Sequence, residues 1–131
     1  MARVLVVEDQ KENLDLMAYL LRAFGHEVIT AGDGVEGLEA ARQTRPDLMV
    51  IDIQMPVMDG LELVAAVKGD GALAPIPAVG VTAFAMVGDR DRILAAGFDG
   101  YLSKPIDPVT FVAELERFLS SGSDGGDDDG G

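Results

Sequence analysis

The chain has 131 residues, of which 48% are hydrophobic and 25% charged, a composition typical of one compact globular domain. Its 23 acidic and 10 basic residues give a net charge of −13, which argues against nonspecific nucleic-acid binding but is compatible with a divalent cation or a basic partner. Cysteine is absent, so disulfides and thiolate metal sites are excluded. No apolar run approaches the roughly 18 residues of a membrane span, and no signal-peptide pattern is visible, so we expect a cytoplasmic protein.

Five short β-like runs alternate with segments of helical periodicity. The runs cover residues 2–7, 27–31, 47–51, 77–82 and 100–103. The first and third are apolar almost throughout, as is typical of parallel strands covered on both faces. The alternation predicts an α/β fold, (βα)5, with a doubly wound parallel five-stranded sheet in the flavodoxin-like order 2-1-3-4-5.

The segments between the strands carry apolar stripes and boundary signals of helices. The stripes include Phe24 in the first helix and Val35 in the second, and the fourth helix is predicted within residues 85–96. The last helix is predicted to have Asp107 as its N-cap and Pro108 as its first residue.

The C-terminal end of the chain differs in composition from the rest. Residues 120–131, SSGSDGGDDDGG, offer no apolar surface, so we predict a folded domain over residues 1–119 and a disordered acidic tail over 120–131.

We also predict that His26 is a surface residue at the turn into the second strand, because no cysteine or second histidine is present to share a metal with it.

Acidic residues follow two strands that the predicted topology places side by side. Glu8 and Asp9 come directly after the first strand, and Asp52 comes directly after the third. In sheets of this order the ligand crevice lies beyond the carboxyl ends of these strands, where the winding direction reverses. Carboxylates this close repel one another unless a positive charge compensates, and Mg²⁺ prefers oxygen ligands. The sequence therefore predicts a magnesium site at this crevice.

Two further strand ends carry groups suited to phosphoryl chemistry. Thr82 ends the fourth strand with a hydroxyl, and Lys104 follows the fifth with an ammonium that can pair with a carboxylate or a phosphoryl oxygen. Taken singly, each residue has a structural explanation: a turn cap for Asp52, a β-branched strand position for Thr82, a solvated surface position for Lys104. Their convergence favours phosphoryl transfer to an aspartate.

Four motifs carry a family resemblance: VVED (6–9), VIDIQMPVMDG (50–60), VTAFA (81–85) and YLSKPI (101–106). Their order and spacing resemble those of the response-regulator receiver domain of two-component signalling, over residues 2–119. The segment VTAFAMVGDRDRI further resembles the stand-alone DivK type.

The resemblance implies roles at the crevice. Asp52 would be the phosphoacceptor, and Glu8, Asp9, Asp52 and the backbone carbonyl of Gln54 would hold Mg²⁺. Having Glu8 where a second aspartate is also common is a familiar variant.

The resemblance also implies a conformational switch. Thr82 and Lys104 would contact the phosphoryl group, with Thr82 moving toward it and Tyr101 turning inward. These changes would remodel the face formed by the fourth helix, the fifth strand and the fifth helix. The Lys104–Pro105 bond is expected to be cis, and Gln54 and Phe84 occupy positions that tune phosphate lifetime in the family.

The function implied by the resemblance is a signalling module, not an enzyme, with limited self-phosphorylation and autodephosphorylation. It would receive its phosphoryl group from a sensor histidine kinase or a histidine phosphotransfer protein and then bind a downstream protein, without nucleic acid or membrane. It would either act alone, with no second domain after Leu119, or be a receiver fragment of a larger hybrid kinase or multidomain regulator.

Two alternatives from other classes are weaker. An aspartate-nucleophile phosphatase of the haloacid-dehalogenase type typically has a second aspartate where this chain has Gln54, which has no proton to shuttle. A flavodoxin-like cofactor binder needs a phosphate-cradling loop after the first strand, and the segment EDQKEN is acidic there.

Overall fold

A computed structural model describes residues 2–55, 57–83 and 87–124 of the chain. Strands and helices alternate in the order β1 Arg3–Val7, α1 Lys11–Ala23, β2 Glu27–Ala31, α2 Gly34–Thr44, β3 Leu48–Asp52, α3 Gly60–Lys68, β4 Ala78–Thr82, α4 Val87–Ala96, β5 Gly100–Ser103 and α5 Phe111–Asp124. The strands form one parallel sheet in the order β2-β1-β3-β4-β5, which confirms the predicted topology.

The helices cover the sheet on both faces, and each face has its own apolar core. Alternate residues of a strand point to opposite faces, so Val4 and Val6 pack with α1 and α5, whereas Leu5 and Val7 pack with α2, α3 and α4. Every residue of β3 and β4 is buried, as expected for central strands of a parallel sheet. The sheet is therefore a rigid base for the groups at its carboxyl edge.

Strand β3 carries its acidic residue inside the sheet. The strand ends at Asp52, one residue later than predicted, and Asp52 pairs in register with Val81 of β4. The next residue, Ile53, still donates its backbone N–H to Val81 at 3.0 Å. Gly60 lies so close to this point that a Cβ would come within 2.7 Å of the Asp52 carbonyl oxygen. The start of α3 therefore packs directly against the end of β3.

The predicted apolar stripes of α1 and α2 are wrong at one residue each. Phe24 is 61% exposed because it is the C-cap of α1, with φ −97°, and leaves the helical repeat. Val35 is 54% exposed because α2 faces the core through glycines instead. A Cβ on Gly37 would lie 2.8 Å from Val7, so only a residue without a side chain permits this approach.

Helix α5 begins later than predicted. Residues 108–110 form a turn, and the first helical residue is Phe111, not Pro108. Asp107 accepts a hydrogen bond from Val109 N–H through its side chain at 2.9 Å and from Phe111 N–H through its carbonyl at 2.9 Å. It therefore caps the turn that leads into the helix.

The helix α5 runs to Asp124, past the predicted domain boundary at residue 119. Residues 125–131 lie outside the described residues, so the division into a domain and an acidic tail stays a prediction. None of the helices in the described ranges is long and apolar enough to cross a bilayer.

The prediction of a surface position for His26 is wrong. The residue is only 8% exposed and joins distant parts of the chain. Its Nδ1 accepts a hydrogen bond from the backbone N–H of Ala2 at 3.1 Å, so Nε2 carries the proton that is shared with Glu116 Oε2 at 2.8 Å. His26 therefore ties the start of the chain to α5, a long-range contact that no local sequence pattern indicates.

Candidate phosphoryl and metal site

Three carboxylates meet at the carboxyl edge of the sheet. One oxygen each of Glu8, Asp9 and Asp52 can be chosen so that all lie within 4.8 Å of one another. Glu8 and Asp9 follow β1, and Asp52 ends the neighbouring strand β3. Glu8 and Asp52 are 0% and 1% exposed, whereas Asp9 is exposed. The site thus has two buried carboxylates and a third that reaches solvent.

A lysine that follows β5 lies close to both buried carboxylates. Lys104 Nζ lies 3.2 Å from Asp52 Oδ2 and 3.5 Å from Glu8 Oε1. The Lys104–Pro105 bond is cis, as the resemblance implies. Because one ammonium faces two carboxylates, these three groups keep a net negative charge when both acids are ionised.

Backbone groups complete the contacts of the buried acids. Gln10 N–H donates to Glu8 Oε2 at 3.1 Å, and Gln54 N–H donates to Asp52 Oδ1 at 3.1 Å. Glu8 Oε1, by contrast, has no hydrogen-bond partner within the described part of the chain, although it is fully buried. The Lys104 ammonium lies 3.5 Å from this oxygen but makes no hydrogen bond to it. A buried acceptor without a hydrogen bond is costly, so this oxygen can still gain from a metal cation as its ligand.

The carboxylate set fits Mg²⁺ on these grounds. Hard oxygen donors from two adjacent strands converge, one buried oxygen lacks a donor, and the exposed Asp9 leaves the site open to solvent. Bound there, a divalent cation would neutralise the excess negative charge and strengthen the site for an incoming phosphoryl group.

Burial raises the pKa of the Glu8 carboxyl from its ordinary 4.5 to about 7, and the adjacent Asp52 carboxyl adds to the rise. The Gln10 N–H and the Lys104 ammonium act in the opposite direction but do not outweigh them. The metal-free site therefore binds a proton at Glu8 at a pH where an ordinary carboxyl group is ionised.

This pKa predicts how the stability of the metal-free protein depends on pH. The folded state binds a proton on Glu8 more tightly than the unfolded state, so the stabilisation is full below pH 4.5 and is lost as the pH rises through about 7. We expect it to amount to about 3 kcal/mol. Urea unfolding in EDTA from pH 5 to 8.5 measures it, as the difference between wild type and Glu8→Gln.

That comparison removes the contribution of other titrating groups, since both proteins carry them. The unfolding free energy of wild type should fall relative to that of Glu8→Gln as the pH rises, and Mg²⁺ should reverse the trend because it binds the ionised form. Parallel curves for the two proteins over this range would contradict the shifted pKa.

The remaining residues singled out in the sequence lie around this centre. Thr82 ends β4, is 1% exposed, and accepts a hydrogen bond from Gln54 Nε2 at 3.0 Å. Tyr101 is partly buried, packs against the core on the α2–α4 face, and lines a surface cavity of about 440 Å³ between β5 and α5. Phe84 lies outside the described residues.

One group that sequence reasoning missed is the backbone N–H of Ala83, which donates to Gln54 Oε1 at 3.3 Å. The sequence did single out Gln54 as a residue of interest, through its position two residues after Asp52. Its side-chain partners are not readable from the sequence, because they lie 28 and 29 residues further along the chain.

Comparison with known proteins agrees with this geometry. A family model described as the response regulator receiver domain matches residues 4–116. The chain belongs to this family. The receiver domain is 43% identical over 116 residues to the polar-differentiation response regulator DivK of Brucella anthropi, covering 88% of this chain and 94% of that protein. DivK of Brucella ovis is 42% identical over the same length, with the same coverage.

Solved structures show the same fold. The chemotaxis protein CheY4 of Vibrio cholerae superposes with a TM-score of 0.86 at 35% identity, covering 90% of this receiver domain and 98% of that chain. The receiver domain of a sensor histidine kinase from Pseudomonas aeruginosa superposes with a TM-score of 0.84 at 30% identity, covering 92% and 98%. That structure has a magnesium ion coordinated in its active-site cleft.

Proposed function

We propose that this receiver domain accepts a phosphoryl group from a phosphohistidine onto Asp52, in a Mg²⁺-dependent reaction, and that the modification changes its contacts with a downstream protein. One observation carries the proposal: two buried carboxylates and an exposed one converge at the carboxyl edge of the sheet, and Lys104 lies beside the two buried ones. The general role as a phosphoacceptor in two-component signalling fits the family.

In this proposal Asp52 is the nucleophile. One of its carboxylate oxygens forms a bond to phosphorus while the P–N bond of the phosphohistidine breaks, and the leaving imidazole nitrogen keeps the electron pair. The Gln54 N–H on Oδ1 and the Lys104 ammonium beside Oδ2 fix the orientation of the carboxylate in the sheet. Because Asp52 is 1% exposed, an incoming donor must approach along the open side of the crevice.

The other residues bind the group that is transferred. The Lys104 ammonium can move from the carboxylates to a phosphoryl oxygen, and the Thr82 hydroxyl can donate to another. Glu8, Asp9, Asp52 and the backbone carbonyl of Gln54 would hold Mg²⁺, which supplies positive charge for the phosphoryl oxygens. With no acidic side chain at residue 54, we propose slow autodephosphorylation and no turnover of other phosphoesters.

The output surface in this proposal is the face of α4, β5 and α5. Strand β5 is an edge strand of the sheet, and its Ser103 pairs in register with Thr82. Tyr101 lies two residues before Ser103 on the same strand, so a shift at Thr82 is transmitted to it over a short path. We propose that Thr82 and Tyr101 move together and change the surface that a protein partner contacts.

A receiver within a larger hybrid kinase is the second candidate. Its support is the 30% identity of this chain to the receiver domains of two histidine kinases. The identity to stand-alone DivK proteins is higher, at 42–43%, and favours the first candidate. We further propose that residues 1–119 form the receiver and that residues 120–131 are an acidic tail whose first residues, up to Asp124, continue α5.

Incubation with phosphoramidate, a donor with a P–N bond like that of phosphohistidine, tests the proposal. With Mg²⁺ the protein should gain one phosphoryl group, measured by intact mass, that is stable in acid and labile in base. Borohydride reduction and peptide mapping should place it at Asp52. In EDTA we expect the rate to fall by about two orders of magnitude. A wild-type protein that gains no such group at saturating Mg²⁺ would refute the proposed function.

A further inference from the structure

The side chain of Gln54 joins two segments that border the site. Its Nε2 donates to Thr82 Oγ1 at 3.0 Å, and its Oε1 accepts from Ala83 N–H at 3.3 Å. Its backbone N–H donates to Asp52 Oδ1 at 3.1 Å. Both ends of the carboxamide are therefore bonded to the end of β4, while the backbone of the same residue is bonded to the proposed acceptor carboxylate.

We infer that the Gln54 carboxamide holds the Thr82–Ala83 end of β4 in its unmodified position, and that it releases this end when Asp52 is modified. The inference rests on the proposed function and names Gln54 as a positioning residue for the switch. A primary amide offers a donor and an acceptor on one rigid plane, so it restrains the threonine oxygen and the following N–H together. A displacement of Thr82 toward Asp52 strains both hydrogen bonds.

The contact to Ala83 competes directly with phosphoryl binding. A backbone N–H has a single hydrogen, and here that hydrogen points to Gln54 Oε1. Once released, the N–H is available to a phosphoryl oxygen on Asp52. In the unmodified state the Ala83 N–H donates to Gln54, and in the phosphorylated state it can donate to the phosphoryl oxygen. Because it cannot do both, the two states exclude each other.

The structure also has space for the released side chain. Gln54 lines a surface cavity of about 500 Å³ together with Met55, Asp59, Leu61 and Arg92. Arg92 belongs to α4, and Asp59 is the N-cap of α3, so polar groups of two helices face this space. A carboxamide that leaves Thr82 can thus keep hydrogen bonds there, and its movement reaches α4.

The test compares Gln54→Met with Gln43→Met. Methionine has a similar length but cannot replace either hydrogen bond, and the backbone carbonyl proposed to hold Mg²⁺ is retained. Gln43 is an exposed glutamine on α2 whose Nε2 donates to Glu39 at 3.0 Å, so it controls for loss of a glutamine hydrogen bond away from the site. Urea unfolding verifies that both variants are folded, and Gln54→Ala serves as a second variant if methionine repacks the loop.

The first readout is the affinity for beryllofluoride, a phosphoryl mimic, at saturating Mg²⁺, followed by NMR. We expect Gln54→Met to bind it about five- to twentyfold more tightly than wild type, because two neutral hydrogen bonds no longer have to break. The second readout is amide hydrogen exchange at Ala83 in the metal-free protein, which should accelerate in Gln54→Met. Gln43→Met should match wild type in both.

The outcomes separate this inference from the function on which it rests. Unchanged or weaker binding of beryllofluoride by Gln54→Met, with normal binding by wild type, would overturn the restraint alone. Unchanged exchange at Ala83 would overturn it as well. A wild-type protein that binds no beryllofluoride and gains no phosphate would instead overturn the proposed function.

Discussion

Replacing Asp52 by asparagine is expected to abolish phosphorylation while making the metal-free protein more stable. The amide oxygen can still accept from Gln54 N–H, but the group is no longer an anionic nucleophile. Removal of one buried carboxylate also ends its repulsion with Glu8 and leaves Lys104 to pair with Glu8 alone. At pH 8 in EDTA we expect the unfolding free energy to rise by about 1–2 kcal/mol.

These opposite effects distinguish a functional acid from a structural one. A structural turn cap would lose stability on replacement and leave phosphate uptake unaffected. Phosphate uptake is measured by intact mass after incubation with phosphoramidate, stability by urea unfolding, and Mg²⁺ affinity, expected to fall at least tenfold, by calorimetry.

Asp15→Asn is the matched control for the Asp52 variant. Asp15 belongs to an exposed ion pair with Lys11, at 2.9 Å, with side chains 62% and 84% exposed. The same change of charge there should alter stability by less than about 0.5 kcal/mol. Phosphate uptake by Asp52→Asn at the wild-type rate would exclude Asp52 as the acceptor.

Replacing Lys104 by methionine is expected to destabilise the metal-free protein and to slow phosphorylation. Methionine retains much of the side-chain volume but leaves the buried carboxylates of Glu8 and Asp52 without the ammonium that lies 3.2–3.5 Å from them. Removal of one partner from a buried charge cluster costs about 3 kcal/mol. The rate with phosphoramidate should fall about a hundredfold, since a preorganised cation is lost from the transition state.

The pH dependence gives the Lys104 experiment a second readout. At pH 5 a proton on Glu8 replaces much of the charge that Lys104 supplied, so the loss of stability should be smaller than at pH 8. Mg²⁺ should restore more stability to the variant than to wild type. Lys11→Met, the same substitution in the exposed pair, should cost less than about 0.5 kcal/mol. An equal cost for both variants would show that Lys104 is an ordinary surface lysine.

Local patterns were sufficient for much of the architecture. The limits of β2 and β5 were predicted to the residue, and the ends of β1, β3 and β4 within one residue. Short apolar runs separated by helical repeats restrict the chain to parallel crossovers, whose handedness then leaves few strand orders. The convergence of Glu8, Asp9, Asp52 and Lys104 follows from that order alone, because parallel strands end at one edge of the sheet.

Errors occurred where a residue's environment depends on what packs against it. Val35 satisfied the helical repeat, but α2 packs on Val7 of β1 through Gly37 and on Met58, in the loop before α3, through Gly34. Because glycine has no side chain, an apolar pattern does not reveal these contacts. His26 looked like a solvated turn residue, yet it is buried between Ala2 and Glu116, a residue 90 positions away.

The sequence by itself determined the fold, the family and the identity of the acids and the lysine at the crevice. Only the tertiary structure decided their electrostatic state: the burial of Glu8 that raises its pKa, the position of one ammonium between two carboxylates, and the link from Gln54 to the end of β4. The reason is physical. Strand order follows from local periodicity and chain connectivity, whereas burial, charge pairing and side-chain hydrogen bonds depend on ångström-scale distances between residues that are far apart in the chain.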